Sequence, residues 1–252
     1  MKIAFEATGR IGSRATRVLL AERSVEAIGL IGRRSTAGDP RVSTITNLAG
    51  WDVLATDDVQ HIERRYRQAS DHGIPLVVSA GEALVSLDPD IPLVVGSNHG
   101  SGLAACLAAH ECTRHETPME VVVGWTEPGR PLRDGHPIVF PQPIGNLWAR
   151  DGENIWPEAP VGTLFLTAPV EGPWTGLVAR VTAATPEGVE VRTLGVADDG
   201  TYLAGIALAA AVLAAGTGAY PTGRHHPAAA PRDYLDAALR AGLEVATFLE
   251  RR

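Results

Sequence analysis

The chain has 252 residues, 45% of them hydrophobic and 20% charged, and a formal net charge of -7 at pH 7. A chain of this length can bury a full hydrophobic core in one large domain or two small ones. The acidic balance and the lack of a basic cluster exclude a general nucleic-acid-binding protein, so we expect a small-molecule partner and no nucleic acid.

The sequence does not indicate export or membrane insertion. The longest apolar stretch, residues 203–215, is shorter than a membrane span and rich in alanine. The N-terminus lacks the layout of a signal peptide. Cys106 and Cys112 lie six positions apart in one predicted helix, a poor separation for a disulfide. We expect a cytoplasmic protein with reduced cysteines and no membrane partner.

The first thirty-odd residues have the pattern of a parallel βαβ unit. An apolar run over residues 1–7 is followed by helical spacing over residues 13–22 and by a second apolar run over residues 25–31. This order is typical of a dinucleotide-binding site. The residues of the intervening turn are the first cofactor-binding candidates: Thr8, Gly9, Arg10, Ile11 and Gly12.

Two glycines of this turn match what a pyrophosphate needs. One lets the backbone approach the diphosphate, and the other lets the helix pack closely on the strand while its free N–H groups face the anion. Gly9 and Gly12 fill these positions, whereas Glu6 and Ala7 stand where an earlier glycine is usual. A carboxylate there opposes a diphosphate unless a cation compensates it. Such a turn also occurs in α/β proteins that bind no nucleotide, so both interpretations stay open.

The end of the second predicted strand indicates which dinucleotide fits. Sites selective for NAD usually place an acidic residue there to hold the ribose hydroxyls, whereas arginine accommodates the additional phosphate of NADP. Arg33 and Arg34 occupy this position. They favour NADP over NAD, unless they only solvate a loop.

Later predicted strands also end in small or polar residues. Apolar runs at residues 51–55 and 74–78 lead into these residues. The carboxyl ends of parallel strands are where ligands bind in such sheets, so they are candidates for the nicotinamide side of the crevice, although they also suit ordinary loops. The candidates are Thr56, Asp57, Ser79, Ala80 and Gly81.

A turn of small residues follows the next short strand, at residues 91–95, and precedes a predicted helix over residues 103–114. Asn98 and His99 are the only side chains of this turn with a rich capacity for hydrogen bonding. Asn98 is predicted either to contact the cofactor or only to cap the helix.

The second half of the chain has a different pattern. Four β-rich segments predict a mostly antiparallel sheet, with a long irregular segment over residues 126–160 and helices over residues 201–215 and 231–249. The sequence thus predicts an α/β fold: a Rossmann-type domain over residues 1–118, an α+β substrate or dimerisation domain over residues 119–200, and C-terminal helices at 201–252 that pack back on the first domain. The four segments are residues 119–125, 163–169, 177–184 and 189–195.

The long segment supplies candidate catalytic side chains, because loops of this length are usually functional or disordered. His136 is a candidate proton donor together with His99, and Arg133 is available for a substrate carboxylate. We expect Glu127, Arg133 and His136 to lie opposite Asn98 and His99 across a cleft.

Other aromatic and histidine residues have two interpretations each. Trp148, Trp156 and Trp174 either line a pocket or anchor the long segment, and anchoring is favoured. His225 and His226 lack acidic or cysteine residues at ligand spacing, so we predict solvated loop histidines and no metal site.

Three motifs resemble those of dihydrodipicolinate reductases, which carry GAxGRMG, GTTG-like and NFSxG turns. The resemblance covers most of residues 1–115 and implies a Rossmann domain, a smaller α+β domain and a nicotinamide cofactor. The family's catalytic lysine and its PSGT turn have no counterpart, since Lys2 is the only lysine, so its substrate and catalytic histidine and lysine are not implied. The matching residues are Ala7, Gly9, Arg10, Gly12, Gly81, Asn98 and Gly102, with Ile11 for methionine.

These features lead to two functional hypotheses. The first is an NADP-dependent oxidoreductase that acts on a small carbonyl, imine or amino-acid-like compound at the interdomain cleft, as a homodimer or homotetramer. The second is a nucleotide- or metabolite-binding protein, or a cofactor-free relative, without dehydrogenase activity. The replacement of a motif glycine by Glu6 favours the second.

Overall fold

The computed structural model describes residues 1–6, 9–32, 38–58, 60–80, 88–115 and 118–251, which form two seven-stranded sheets and the helices around them. The strands are β1 (Lys2–Glu6), β2 (Ala27–Ile31), β3 (Val42–Ile45), β4 (Val53–Thr56), β5 (Leu76–Val78), β6 (Pro92–Val94), β7 (Pro118–Pro128), β8 (His136–Val139), β9 (Asn146–Asp151), β10 (Leu164–Val170), β11 (Trp174–Thr185), β12 (Gly188–Asp199), β13 (Gly223–His225) and β14 (Ala246–Arg251). The α-helices are α1 (Arg10–Ala21), α2 (Ile62–Asp71), α3 (Ala105–Cys112), α4 (Gly200–Gly216) and α5 (Pro231–Arg240), with a π-helical turn over His99–Ala104 and a 3₁₀ turn over Pro227–Ala229.

The first sheet is parallel and has the strand order β13-β6-β5-β4-β1-β2-β3. Its direction of growth reverses between β1 and β4, which is the switch point where ligands bind in doubly wound folds. The residues of β4 and β5 are buried throughout, because helices cover both faces. The predicted Rossmann-type sheet is confirmed.

The second sheet has the order β14-β12-β11-β7-β10-β9-β8. Its pairs are antiparallel except for β7 and β10, which run parallel. Three of the four predicted β-rich segments lie within β7, β11 and β12, and the segment at residues 163–169 begins one residue before β10. The predicted second, mostly antiparallel sheet is therefore confirmed.

Helix α4 joins the two layers. It contacts α1 and α5 as well as strands of both sheets, and residues 203–215 within it are buried on every side. The Asp199 side chain caps this helix by accepting a hydrogen bond from the Tyr202 N–H at 3.0 Å. In the described part of the chain, no helix combines the length and the apolar character that a membrane span needs. The domain boundaries remain predictions; β7 begins at Pro118 and α4 at Gly200.

Two segments for which no strand is predicted contain strands. Residues 35–47 include β3, an edge strand whose Val42 is buried beside β2. Residues 126–160 include β8 and β9, which pair with each other and bury Ile138 and Ala149 against the second sheet. Pro137 makes β8 difficult to predict from the sequence, because proline is unusual within strands. It is tolerated here because β8 lies at the edge of its sheet.

The predicted last helix over residues 231–249 is too long. Helix α5 ends at Arg240, and Gly242 follows it with φ +95°, a left-handed conformation that commonly stops a helix. The chain then forms β14, which pairs with β12 of the second sheet. Similarly, the predicted loop 221–231 contains β13 and the 3₁₀ turn.

Candidate functional site

A cleft of about 790 Å³ separates the carboxyl edge of the first sheet from the second sheet. We call its two sides the neutral wall and the acidic wall. The neutral wall consists of Ile11, Ser79, Ala80, Ser97, Asn98, His99, Gly100, Ser101 and Ala204. The acidic wall consists of Trp125, Thr126, Glu127, Pro128, Arg150, Asp151, Gly152, Glu153, Ile155 and Thr167.

The turn after β6 forms the centre of the neutral wall. The Asn98 carboxamide oxygen accepts a hydrogen bond from the Ser101 N–H at 2.8 Å and caps the π-helical turn. The Asn98 amide nitrogen donates to the Ser79 carbonyl at 3.3 Å. The carboxamide oxygen and nitrogen thus hold the turn against the end of β5. The predicted capping role of Asn98 is present, and Asn98 also borders the cleft.

His99 is the titratable residue of the neutral wall. Burial lowers the pKa of His99, and the nearby Glu127 carboxylate raises it by a smaller amount. Its Nδ1 is buried and has no hydrogen-bond partner within the described residues. The ring is therefore neutral at neutral pH and can accept or donate a proton at the cleft.

The acidic wall carries three carboxylates and one guanidinium among its described residues. Trp125 Nε1 donates to Glu127 Oε1 at 3.2 Å, and the Arg150 guanidinium lies 3.6 Å from the same carboxylate. Asp151 lies 3.1 Å from His136 Nε2 at the outer rim. Because carboxylates exceed cations here, this wall favours a cationic group on a ligand.

The N-terminus of α1 already holds an anionic group. The Gly12 N–H donates to Asp57 Oδ2 at 3.0 Å, so a carboxylate that follows β4 serves as a stand-in anion at this helix end. A Cβ built on Gly9 meets no heavy atom within 4 Å among the described residues. The open glycine turn and the anion position fit a diphosphate in shape. A diphosphate at this position would compete with Asp57 for the Gly12 N–H group.

Glu6 is compensated by a cation. Its carboxylate accepts hydrogen bonds from Arg65 Nε at 2.7 Å and from Arg65 Nη2, and it also accepts from the Thr56 hydroxyl at 3.2 Å. Glu6 and Arg65 are both largely buried. The cation that would make Glu6 compatible with a diphosphate is therefore present. The uncompensated repulsion that the sequence predicts does not apply. Thr56 is fully buried beneath the cleft rather than lining it.

A group of possible metal ligands lies next to this pair. Ligand atoms of Glu6, Asp58 and His61 are within 4.8 Å of one another. The oxygens of Glu6 bind Arg65, and Asp58 Oδ2 lies 2.8 Å from His61 Nδ1. These contacts explain why the three side chains lie close together, and a metal ion is not needed to account for the group.

Six sequence-predicted site residues line the cleft: Ile11, Ser79, Ala80, Asn98, His99 and Glu127. Gly9 and Gly12 lie at the N-terminus of α1, and Arg10 is exposed there. Arg133 and His136 do not line the cleft; His136 is 49% exposed and reaches it only through Asp151. Thr8, Arg33, Arg34 and Gly81 lie outside the described residues.

Part of the acidic wall is not predicted from the sequence. Trp125 is the last residue of the apolar run of β7 and directly precedes Thr126 and Glu127. Its position in the sequence could therefore have identified it as a residue of the site. Arg150 and Asp151 end β9, which was predicted as loop, and no periodicity marks them. Glu153 follows two residues later.

The structure contradicts the predicted solvation of one histidine and agrees with the favoured interpretation of one tryptophan. His226 is buried, not solvated, and its side chain caps the 3₁₀ turn that follows by accepting a hydrogen bond from the Ala228 N–H. Trp156 is buried in the main core and anchors its segment, whereas Trp148 and Trp174 are 41% and 43% exposed. None of these three tryptophans lines the cleft.

No protein family profile matches the sequence, and no curated protein is similar to it in sequence. The fold resembles solved structures. Homospermidine synthase from Legionella pneumophila, in complex with NAD, has a TM-score of 0.64 at 6% identity over 99% of this chain and 91% of that chain.

Two further structures are similar over nearly the whole chain. A mutant meso-DAP dehydrogenase from Clostridium tetani, crystallised with DAP, has a TM-score of 0.57 at 12% identity over 93% of this chain and 95% of that chain. Dipicolinate-bound dihydrodipicolinate reductase from a Paenisporosarcina species has a TM-score of 0.50 at 10% identity over 91% and 98% of the two chains. The chain therefore has the two-domain Rossmann-type fold of these oxidoreductases, which confirms at the level of fold the resemblance that the sequence motifs indicated.

Proposed function

We propose that the protein is an NADP-dependent oxidoreductase, with NAD as the alternative cofactor, that acts on a small carbonyl, imine or amino-acid-like compound. The observation that carries this proposal is the cleft itself. Its neutral wall is the carboxyl edge of a Rossmann sheet, where dinucleotides bind, and its opposite wall carries charged side chains. The solved homospermidine synthase of the same fold contains NAD, and an engineered D-amino acid dehydrogenase of this fold is bound to NADP+.

Residues of the first sheet are suited to hold the cofactor. Gly9 and Gly12 would let the N-terminus of α1 approach the diphosphate, and the arginine pair Arg33 and Arg34 would bind the additional phosphate of NADP. Ser79, Ala80 and Asn98 line the cleft and would border the nicotinamide. When bound, the nicotinamide supplies the hydride acceptor or donor, and the chain supplies alignment and a proton.

Side chains from both walls are suited to act on the substrate. His99 is neutral and half-buried at the cleft surface, so it would take up or release the proton that accompanies hydride transfer. Trp125 and Glu127 provide an aromatic ring beside a carboxylate, a combination that binds an ammonium group. Arg150 is the cation of this wall that remains for a substrate carboxylate.

Cofactor titration is the primary test. Binding of NADPH and NADH is measured by tryptophan fluorescence, since Trp125 lines the cleft, and turnover is measured at the nicotinamide absorbance with a panel of amines, amino acids and oxo acids. We expect NADPH to bind more tightly than NADH. Failure of both cofactors to bind would refute the proposal.

Cofactor selectivity has its own test. The double variant Arg33→Ala/Arg34→Ala should weaken NADPH binding by about 2 kcal/mol while leaving NADH binding nearly unchanged, because charge-assisted bonds to the phosphate are lost. Arg180→Ala/Arg232→Ala makes the same change in net charge on elements that do not line the cleft. An equal loss in the two double variants would contradict a specific role for the arginine pair.

The contact between Asp57 and α1 favours a second candidate function, a metabolite-binding protein without dehydrogenase activity. A carboxylate at 3.0 Å from the Gly12 N–H satisfies this helix end without a cofactor. Binding of an amine to the cleft, measured by calorimetry in the absence and presence of NADPH, distinguishes the two. Amine binding that NADPH leaves unchanged, with no turnover, supports the second candidate.

A further inference from the structure

The second sheet has one face that the rest of the chain covers only in part. Helix α3 packs on the other face of β7, β11 and β12. The turn between β8 and β9 lies on the partly covered face, which we call the outer face. Cβ atoms built on Gly176 and Gly195 would lie 2.7 Å from Phe140 and 2.6 Å from Pro141. This turn therefore covers the outer face around Gly176 and Gly195.

Next to this covered region, two rows of residues run across the strands of the outer face. Directly opposite residues of antiparallel strands lie on the same face of a sheet. Arg180 is opposite Thr193, which in turn is opposite Phe248, so one row extends from β11 to β14. Arg180 and Thr193 share the face of Gly176 and Gly195, because they lie an even number of positions from them in the same strands. The two rows, which we call the outer patch, consist of Arg180, Thr193 and Phe248 and of Glu120, Thr182 and Val191.

The outer patch combines an exposed aromatic ring with an exposed ion pair. Phe248 is 63% exposed although it lies in a strand of a seven-stranded sheet. The Arg180 guanidinium lies 3.3 Å from the Glu120 carboxylate, and both side chains are half-buried. Thr193 places a β-branched side chain between Arg180 and Phe248. Aromatic residues and arginine are enriched at protein–protein interfaces, whereas a sheet face that meets only water is usually polar, so this patch has the composition of an interface.

The charges of the outer patch indicate what it contacts. Arg180 and Glu120 give it one positive and one negative side chain in neighbouring positions, so it does not select a strongly acidic or basic partner. It is instead complementary to a copy of itself related by a two-fold axis, the symmetry of most homodimers. We propose that two copies of this chain associate face to face through the outer patch, with Phe248 buried in the contact and Arg180 of each copy beside Glu120 of the partner subunit. The contact does not depend on the proposed oxidoreductase activity.

A charge exchange across the contact is the primary test, with the mass of the assembly measured by analytical ultracentrifugation over a range of concentrations. We expect the unaltered protein to have twice the 26.5 kDa mass of one chain. Arg180→Glu makes both side chains of the ion pair negative, and Glu120→Arg makes both positive. Each variant alone should therefore have a dimer dissociation constant about a hundredfold higher, because like charges meet. An equimolar mixture of the two variants should restore the dimer, because a negative patch then meets a positive one.

The mixture separates the contact from the fold, since both variants lose the same ion pair within the chain. Arg67→Glu and Glu63→Arg are the controls, because they make the same changes in an exposed ion pair on helix α2 and should leave the dimer unchanged. A monomeric unaltered protein would overturn the proposal. So would dimers that persist in both outer-patch variants, or a mixture of these variants that stays monomeric.

Phe248→Ser provides a second test that leaves the charges of the patch untouched. A buried aromatic ring commonly contributes much of the binding energy of an interface, so this substitution should raise the dissociation constant of the dimer about tenfold or more. Val139→Ser is the matched control, because Val139 is 65% exposed in β8, at the opposite edge of the same sheet. Equal dissociation constants for the two variants would show that the outer patch is not the contact.

Discussion

The two walls of the cleft differ in how their polar groups are satisfied. On the neutral wall, Asn98 binds the backbone of Ser101 and Ser79, and His99 is held neutral by burial. On the acidic wall, Glu127 and Asp151 are at least 46% exposed and paired loosely at the rim. The first wall is therefore a fixed surface for an uncharged part of a ligand, whereas the second selects ligands by charge. The following predictions test this difference.

The largest effect is expected beneath the neutral wall, where buried charges are paired. Arg65→Met leaves the buried Glu6 carboxylate without its cation, and loss of one partner of a buried ion pair costs about 3–5 kcal/mol of unfolding free energy. Arg67→Met is the control on the same helix, because its side chain is 78% exposed and should contribute less than about 1 kcal/mol. Chemical denaturation of both variants measures the difference. Equal stabilities would show that the pair does not matter to the fold.

The same pairing changes what we expect of Glu6→Gly. From the sequence alone, removal of this carboxylate should tighten cofactor binding. In the structure Glu6 compensates Arg65, so the substitution leaves a buried guanidinium unpaired and should mainly destabilise the protein.

The next largest effect concerns the proton. His99→Asn should lower kcat about a hundredfold, typical for the loss of a general acid or base, while leaving NADPH affinity nearly unchanged. His136→Asn is the control, since His136 is outside the cleft and should retain most of the activity. Steady-state kinetics with both variants decides between the two histidines. A hundredfold loss confined to His136→Asn would assign the proton to the outer rim.

A smaller effect is expected at the N-terminus of α1. Asp57→Asn removes a negative charge that competes with the diphosphate, so NADPH should bind about tenfold more tightly at low ionic strength and the gain should shrink as salt is added. Asp71→Asn is the charge-matched control, because it removes the same charge from the last residue of helix α2 in the first domain. Weaker binding in Asp57→Asn would mean that this carboxylate helps to hold the cofactor.

The smallest effect is expected on the acidic wall. Glu127→Gln keeps the shape of the side chain and removes its charge, so KM for ammonium-bearing substrates should rise about fivefold with little change in kcat, as is usual for exposed charges. Glu158→Gln, outside the cleft lining, should leave KM unchanged. A KM that also rises for uncharged carbonyl substrates would argue against charge selection.

The sequence determined the parts that depend on local pattern. Alternating apolar runs and glycine turns predict β1, α1 and β2, and Asp199 before an alanine-rich stretch predicts α4, because strand and helix periodicity and capping act over a few residues. The turn at Asn98 and His99 was predicted as part of the site for the same reason, since it follows a strand of the sheet directly.

Only the tertiary structure decided which side chains meet. Arg65 is 59 positions from Glu6, Asp57 is 45 positions from Gly12, and neither spacing has a local signature. The strands β8 and β9 form because they pair with each other and cover the second sheet, and with them Arg150 and Asp151 enter the cleft. The environment of a charge depends on which distant elements are packed around it. The sequence therefore shows that the Glu6 carboxylate lies beside the glycine turn. Only the fold shows that Arg65 neutralises Glu6 and that the Asp57 carboxylate, not Glu6, binds the N-terminus of α1.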